Sequence, residues 1–148
     1  MTLNWDSFSA DELKTARRLS IQFAYQAEMQ KQNFYLQSAF ENFEKQMEIP
    51  SHIKPVISVV CKTLFESLSD IDQSIEQAST HWKLHRIGKV DLAILRVCAC
   101  EFRLRPKLAK EILISDAAEI GKTYGTQNSS QFIHGVLDAL LKAWGEQK

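Results

Sequence analysis

The sequence predicts an all-α fold, a compact bundle of about seven helices, because apolar residues recur near a 3.6-residue period along almost the whole chain. Two further observations agree. Only five glycines and three prolines punctuate 148 residues. Alternating runs of β-branched residues, the mark of half-buried strands, are scarce.

The first helix should run from roughly residue 10 to 29. Ser9 followed by Glu12 forms a capping box, and Asp11 adds an acidic group to the first turn. Leu13, Ala16, Phe23, Ala24 and Ala27 fall on one stripe. A second helix, from about Asn33 to Met47, carries Phe34, Phe40 and Phe43 and stops before Pro50. The third starts near Ser51, tolerates Pro55 in its first turn and continues through Val56, Val59, Val60 and Phe65. Ser69 and Asp72 mark the cap of a short fourth helix with Ile71, Ile75 and Ala78 inward. Trp82 then opens a loop ending at Gly88.

From Val90 to Phe102 the chain is apolar almost all round, the pattern of a central buried helix. Pro106 and a basic stretch separate it from a sixth helix that Gly125 ends. Asn128, with Gln131 at the reciprocal position, caps a last helix. Its apolar positions are Ile133, Val136, Leu137, Leu140, Leu141 and Trp144. No repeat or low-complexity linker breaks the chain, so residues 1–148 read as a single domain.

Composition excludes several function classes. Hydrophobic residues make up 45% and charged residues 24%, ordinary values for a folded globular chain. No apolar run approaches the roughly 18 residues that span a bilayer. Met1 to Ala10 is polar and acidic, unlike a secretory signal. Cys61, Cys98 and Cys100 are an odd set without disulfide spacing. A cytoplasmic, membrane-free location is expected. Formal net charge is zero, but residues 1–80 hold 7 basic and 11 acidic residues and residues 81–148 hold 11 and 7. That asymmetry is compatible with a polar binding surface.

Catalytic patterns are missing. The five glycines are scattered, so no loop is built to cradle a phosphate. No Gly-x-Ser-x-Gly elbow presents a nucleophile. Cys98 and Cys100 point about 200° apart on a helix and cannot share a metal. His81 and His85 have a ligand spacing but no third partner nearby. No acidic pair forms an acid/base constellation. The expectation is a binding protein, not an enzyme, with no cofactor and no metal.

Surface features remain. Lys14, Arg17 and Arg18 at i, i+3 and i+4 form a contiguous basic patch clear of the apolar stripe, with Tyr25 an exposed aromatic beside it. An ordinary solvated face is the alternative. Phe132 lies in the first turn of the last helix, to one side of its core stripe, a position from which an aromatic ring can stack on an unpaired base while the helix N-terminus accommodates a phosphate. Capping of the core is the alternative there.

The segment Ala16-Arg17-Arg18-Leu19-Ser20-Ile21-Gln22-Phe23-Ala24-Tyr25 resembles the opening helix of the NusB family of bacterial transcription antitermination factors. Trp82, Arg86 and Val90 through Glu101 resemble its central helix. Ile114 through Gly125, followed by Phe132-Ile133-His134-Gly135-Val136-Leu137-Asp138, is similar to its closing signature. The resemblance implies two packed helical lobes, about 1–80 and about 81–148. It also implies binding of boxA-type single-stranded RNA of ribosomal RNA leaders together with the ribosomal protein NusE. RNA polymerase, NusA and NusG complete the antitermination assembly so implied.

Carried onto this chain, the implied RNA contacts are Lys14, Arg17 and Arg18 and, at the last helix, Asn128, Gln131 and Phe132. The implied NusE-facing surface includes Tyr25 and Asp91. Such proteins are monomers or homodimers, and a homodimer would cover the basic patch in the free state.

The chain departs from the family in a thinned basic run before Ala16, in Ser115-Asp116 where the family has Asn-Glu, and in His134 where it has Asn. The thin run leaves an alternative: a protein–protein adaptor of the same fold with weak or lost RNA binding. A similar fold accompanies some ribosomal RNA methyltransferases, but no methyl-donor glycine-rich region appears here, so a fused enzyme is not expected. The basic loop Arg103-Arg105-Lys107-Lys110 is a further candidate nucleic-acid surface that the resemblance does not favour.

Overall fold

The computed structural model describes residues 2–80 and 82–146. Among them are seven α-helices and no strand: α1 Ala10–Met29, α2 Gln37–Met47, α3 Lys54–Glu66, α4 Leu68–Ala78, α5 Lys89–Leu104, α6 Lys110–Tyr124 and α7 Ser129–Glu146. Short 3-10 turns at Trp5–Ser7, Ser51–Ile53 and Leu84–Arg86 link or precede them.

The capping box of α1 is formed. Ser9 Oγ accepts the Glu12 N–H at 3.0 Å, and the Ser9 N–H donates to Glu12 Oε1 at 2.8 Å. Replacing Ser9 with alanine should therefore cost about 1 kcal/mol of stability, read as a lowered urea midpoint at constant slope. No change in midpoint would mean that the first turn frays. The other end of α1 closes without glycine: Lys31 adopts φ 56°, and the Gln32 N–H reaches the Ala27 carbonyl at 2.8 Å. That reversal delays α2, which starts at Gln37 instead of near Asn33 and leaves Phe34 exposed outside it. Phe40 and Phe43 are buried, each edge-on to Phe23 with centroids 5.3 Å apart.

The expected cap of α4 is not formed. The helix follows α3 after Ser67 alone and begins at Leu68 without a side-chain cap. Asp72 is engaged elsewhere, accepting two hydrogen bonds at 2.8 Å from Arg96 of α5.

Helix α5 is the centre of the molecule, with every residue from Leu92 to Phe102 buried. It packs against α1, α3, α4, α6 and α7, and the buried side chains form one hydrophobic cluster running from Leu13 to Leu141. The three cysteines lie in that cluster as free thiols. Burial pushes their pKa values upward, that of Cys100 to about 12, so they stay protonated and unreactive at neutral pH.

Gly125 ends α6, but not through a left-handed cap, since its φ is −93° and its ψ −158°. Its role is close approach. A Cβ there would fall within 2.5 Å of Ser129 Oγ and Cβ and 2.8 Å from the Gly121 carbonyl. At the start of α7 the box expected from Asn128 and Gln131 is replaced by a turn in which Ser129 Oγ accepts the Thr126 N–H at 2.8 Å. Asn128 still occupies the cap position, its carbonyl accepting the Phe132 N–H at 3.1 Å.

Candidate nucleic-acid interface

The basic patch expected on α1 is not contiguous. Arg17 is only 4% exposed and faces inward. Its Nε and Nη2 donate to the two carboxylate oxygens of Glu101 at 2.7 Å each, and its Nη1 donates to Asp116. Burial opposes the charge, but the hydrogen bonds and negative charge of Glu101, with help from Asp116, outweigh it and raise the Arg17 pKa. Arg17 is thus a structural cation joining α1, α5 and α6, and it is not available to touch a phosphate.

Lys14 and Arg18 remain on the surface. Arg18 is partly exposed and shares Asp116, donating to its second oxygen at 3.0 Å. Lys14 is exposed and makes no ion pair among the described residues. Glu111 and Glu119 of α6 line the same shallow concavity, so the positive potential there is modest.

Arg18 is also the rim of a deeper, mostly apolar groove of about 400 Å³. Ile21 and Tyr25 of α1, Val90 and Ala93 of α5, and Ile120 and Tyr124 of α6 form its walls. Tyr25 is 36% and Tyr124 66% exposed, so both side chains are accessible at the groove.

Asp91 does not join Tyr25. It lines a separate cleft with Phe132, Asn128, Trp82 and Arg86, although its neighbour Val90 belongs to the Tyr25 groove. The first turn of α5 is therefore the wall between the two depressions. Phe132 is half-buried and rests on the core with part of its ring in the cleft, while Gln131 and Asn128 are exposed. Burial raises the Asp91 pKa, and a hydrogen bond from Ser129 partly offsets the rise.

Trp82 and Arg86 were not among the expected site residues. The signal was available in part: a tryptophan stranded in a polar loop has no core to fill. Its position opposite α7, however, depends on long-range packing.

The alternative basic loop is largely occupied by intramolecular partners. Arg103 pairs with Asp70 at 2.7 Å and lies 4.1 Å from the Trp144 ring centre. Arg105 pairs with Glu101 at 2.6 Å and lies over Trp5. His85 sits in the 3-10 turn, and His81 lies outside the described residues.

Comparison with known proteins supplies the context for this surface. A model of the NusB family matches residues 14–142. The transcription antitermination protein NusB of Acetivibrio thermocellus is 33% identical over 129 residues, covering 87% of this chain and 88% of that protein. The structure of T. maritima NusB superposes with a TM-score of 0.78 at 28% identity, covering 87% of this chain and 89% of the other. A structure of antitermination factors NusB and NusE in complex with double-stranded RNA matches in fold, with a TM-score of 0.80 at 20% identity over 91% of this chain and 99% of that one.

Proposed function

The chain belongs to the NusB family, and from that premise we propose that it acts in transcription antitermination by binding boxA-type single-stranded RNA together with NusE. One observation carries the reading: two polar, nucleic-acid-compatible surfaces flank an apolar groove. On one side stand Lys14 and Arg18, and on the other Asn128 and Phe132, with the exposed Gln131 between them in the chain. Arg18 is shared with the groove on its first flank, and the Val90–Asp91 turn divides the groove from the second. A protein partner seated on Tyr25 and Tyr124 would leave both polar flanks open to one RNA strand. That arrangement suits a ternary complex.

In this reading NusE occupies the Tyr25 groove, and Asp91, next in the chain to the groove's Val90, stands at its edge as a carboxylate for a basic residue of NusE. The protein binds and does not catalyse, works in the cytoplasm without a cofactor, and joins RNA polymerase, NusA and NusG through the RNA-bound complex. In the free chain a second copy on the same groove would make a homodimer that competes with NusE.

The test is a titration of a short boxA-type RNA, with and without NusE, at two salt concentrations. Replacing both Lys14 and Arg18 with alanine should weaken binding. It should also flatten the dependence of log K on log salt by about 1.4, roughly 0.7 for each lost phosphate contact to a single strand. An unchanged slope would place the phosphates elsewhere. The burial of Arg17 and the pairing of Arg18 with Asp116 favour a second reading, a protein–protein adaptor. NusE binding with no RNA contribution at either salt would select it.

A further inference from the structure

Beside the groove assigned to NusE, charged side chains link two of its walls. Glu28 stands three residues after Tyr25 on α1, and Lys89 and Arg96 of α5 bracket Val90 and Ala93 in the chain. Residues three apart on a helix are surface neighbours. The charged groups meet across the gap between α1 and α5. Glu28 Oε2 accepts from Lys89 Nζ at 3.0 Å, and Glu28 Oε1 accepts from Arg96 Nη1 at 2.7 Å. Arg96 turns its other edge to Asp72 of α4, with two bonds of 2.8 Å, so it is anchored independently of Glu28.

Lys89 is placed differently. It is the first residue of α5, and its side chain is 47% exposed. A cation at a helix N-terminus opposes the helix dipole, so this lysine does not stabilise its own helix. Among the described residues no side chain caps α5 either. Gly88 occupies the cap position, and a Cβ built there would meet nothing within 4 Å. The first turn, which carries Val90 and Asp91, therefore depends on its contacts with other helices. On the α7 side Asp91 accepts a hydrogen bond from Ser129. On the α1 side Lys89 reaches Glu28.

We propose that Glu28 and Lys89 are positioning residues for the protein partner. The pair sets the spacing between Tyr25 on α1 and the Val90–Asp91 turn on α5, so that NusE meets a preformed groove edge. Preorganisation of this kind lowers the ordering cost of binding without adding a contact. The inference rests on the reading that NusE occupies the groove, and it adds the device that shapes it.

The test is a double-mutant cycle on NusE affinity, measured by isothermal titration calorimetry with the full chain. Lys89→Gln should weaken binding about threefold to fivefold, the range of a partly exposed ion pair, with its urea midpoint unchanged. Glu28→Gln should weaken binding at least as much, and the bonds of Arg96 to Asp72 keep that variant folded. In the Glu28→Gln background the lysine substitution should have no further effect. Lys89→Arg, which still reaches the carboxylate, should bind as the parent does.

A Lys89→Gln protein that binds NusE like the parent overturns the proposal. So does an equal loss from Lys89→Gln in both backgrounds, which would make the lysine a direct contact with NusE. Tyr25→Ala separates this failure from that of the groove itself. If Tyr25→Ala weakens binding while the pair has no effect, the NusE reading stands without the positioning role. If neither matters, NusE sits elsewhere and both fall.

Discussion

Replacing Arg17 with alanine is expected to destabilise the protein by about 3–5 kcal/mol, the usual cost of removing one partner from a buried ion pair. The side chain is 4% exposed, and its two partners, Glu101 and Asp116, are 3% and 6% exposed. Truncation would leave each of two buried carboxylates with a single, more peripheral cation. Arg105 holds Glu101 Oε2, an oxygen Arg17 also binds, and Arg18 holds Asp116 Oδ1, but neither bridges the two carboxylates as Arg17 does. Lysine should rescue poorly, because a single ammonium cannot reproduce the two parallel hydrogen bonds to Glu101. Urea unfolding measures the effect as a shift in midpoint. A loss under about 1 kcal/mol would show that the network is solvated and behaves as a surface pair. One consequence concerns the RNA site: an Arg17 variant that fails to bind RNA reports on the fold, not on a phosphate contact.

Most of the fold was legible because most of it is local. The stripe on α1, the continuous apolar run of α5 and the +3/+4 spacing on α7 are properties of short windows, and all three helices appear near their expected bounds. The misplaced parts are those set by distant partners. Asp72 looked like a capping residue because its local position allows it, yet Arg96, 24 residues on, holds its carboxylate. Gly125 was read as a helix stop, while its real constraint is Ser129 pressed against it.

Arg17 is the instructive case. A basic side chain between Lys14 and Arg18 reads as surface, but Arg17 also lies four residues after Leu13 and seven before Ala24, within the apolar stripe. Glu101 supplied the complementary hint, since a carboxylate at the end of an otherwise buried helix requires a cation. Neither hint names its partner, because the contacts span 84 and 99 residues. The same limit applies to Trp82, whose loop becomes a wall only when α7 is placed opposite.

Replacing Phe132 with alanine should have the largest effect on RNA, weakening binding by about 1–3 kcal/mol, or roughly 5-fold to 150-fold. The ring is half-buried on the core side and open on the cleft side, so truncation removes both packing and a stacking surface. Leucine separates these contributions. Phe132→Leu keeps most of the apolar contact with the core but has no π-face, so its melting temperature should stay near that of the parent while its RNA affinity falls almost as far as alanine's. Tyrosine, which retains the face, should bind RNA within a few-fold of the parent. Anisotropy titrations at fixed salt, paired with thermal melts, distinguish the cases. Were leucine to bind RNA as well as phenylalanine, the side chain would be a core cap and stacking would have to be sought elsewhere. The apolar groove would then be the principal functional surface, and the adaptor reading would gain.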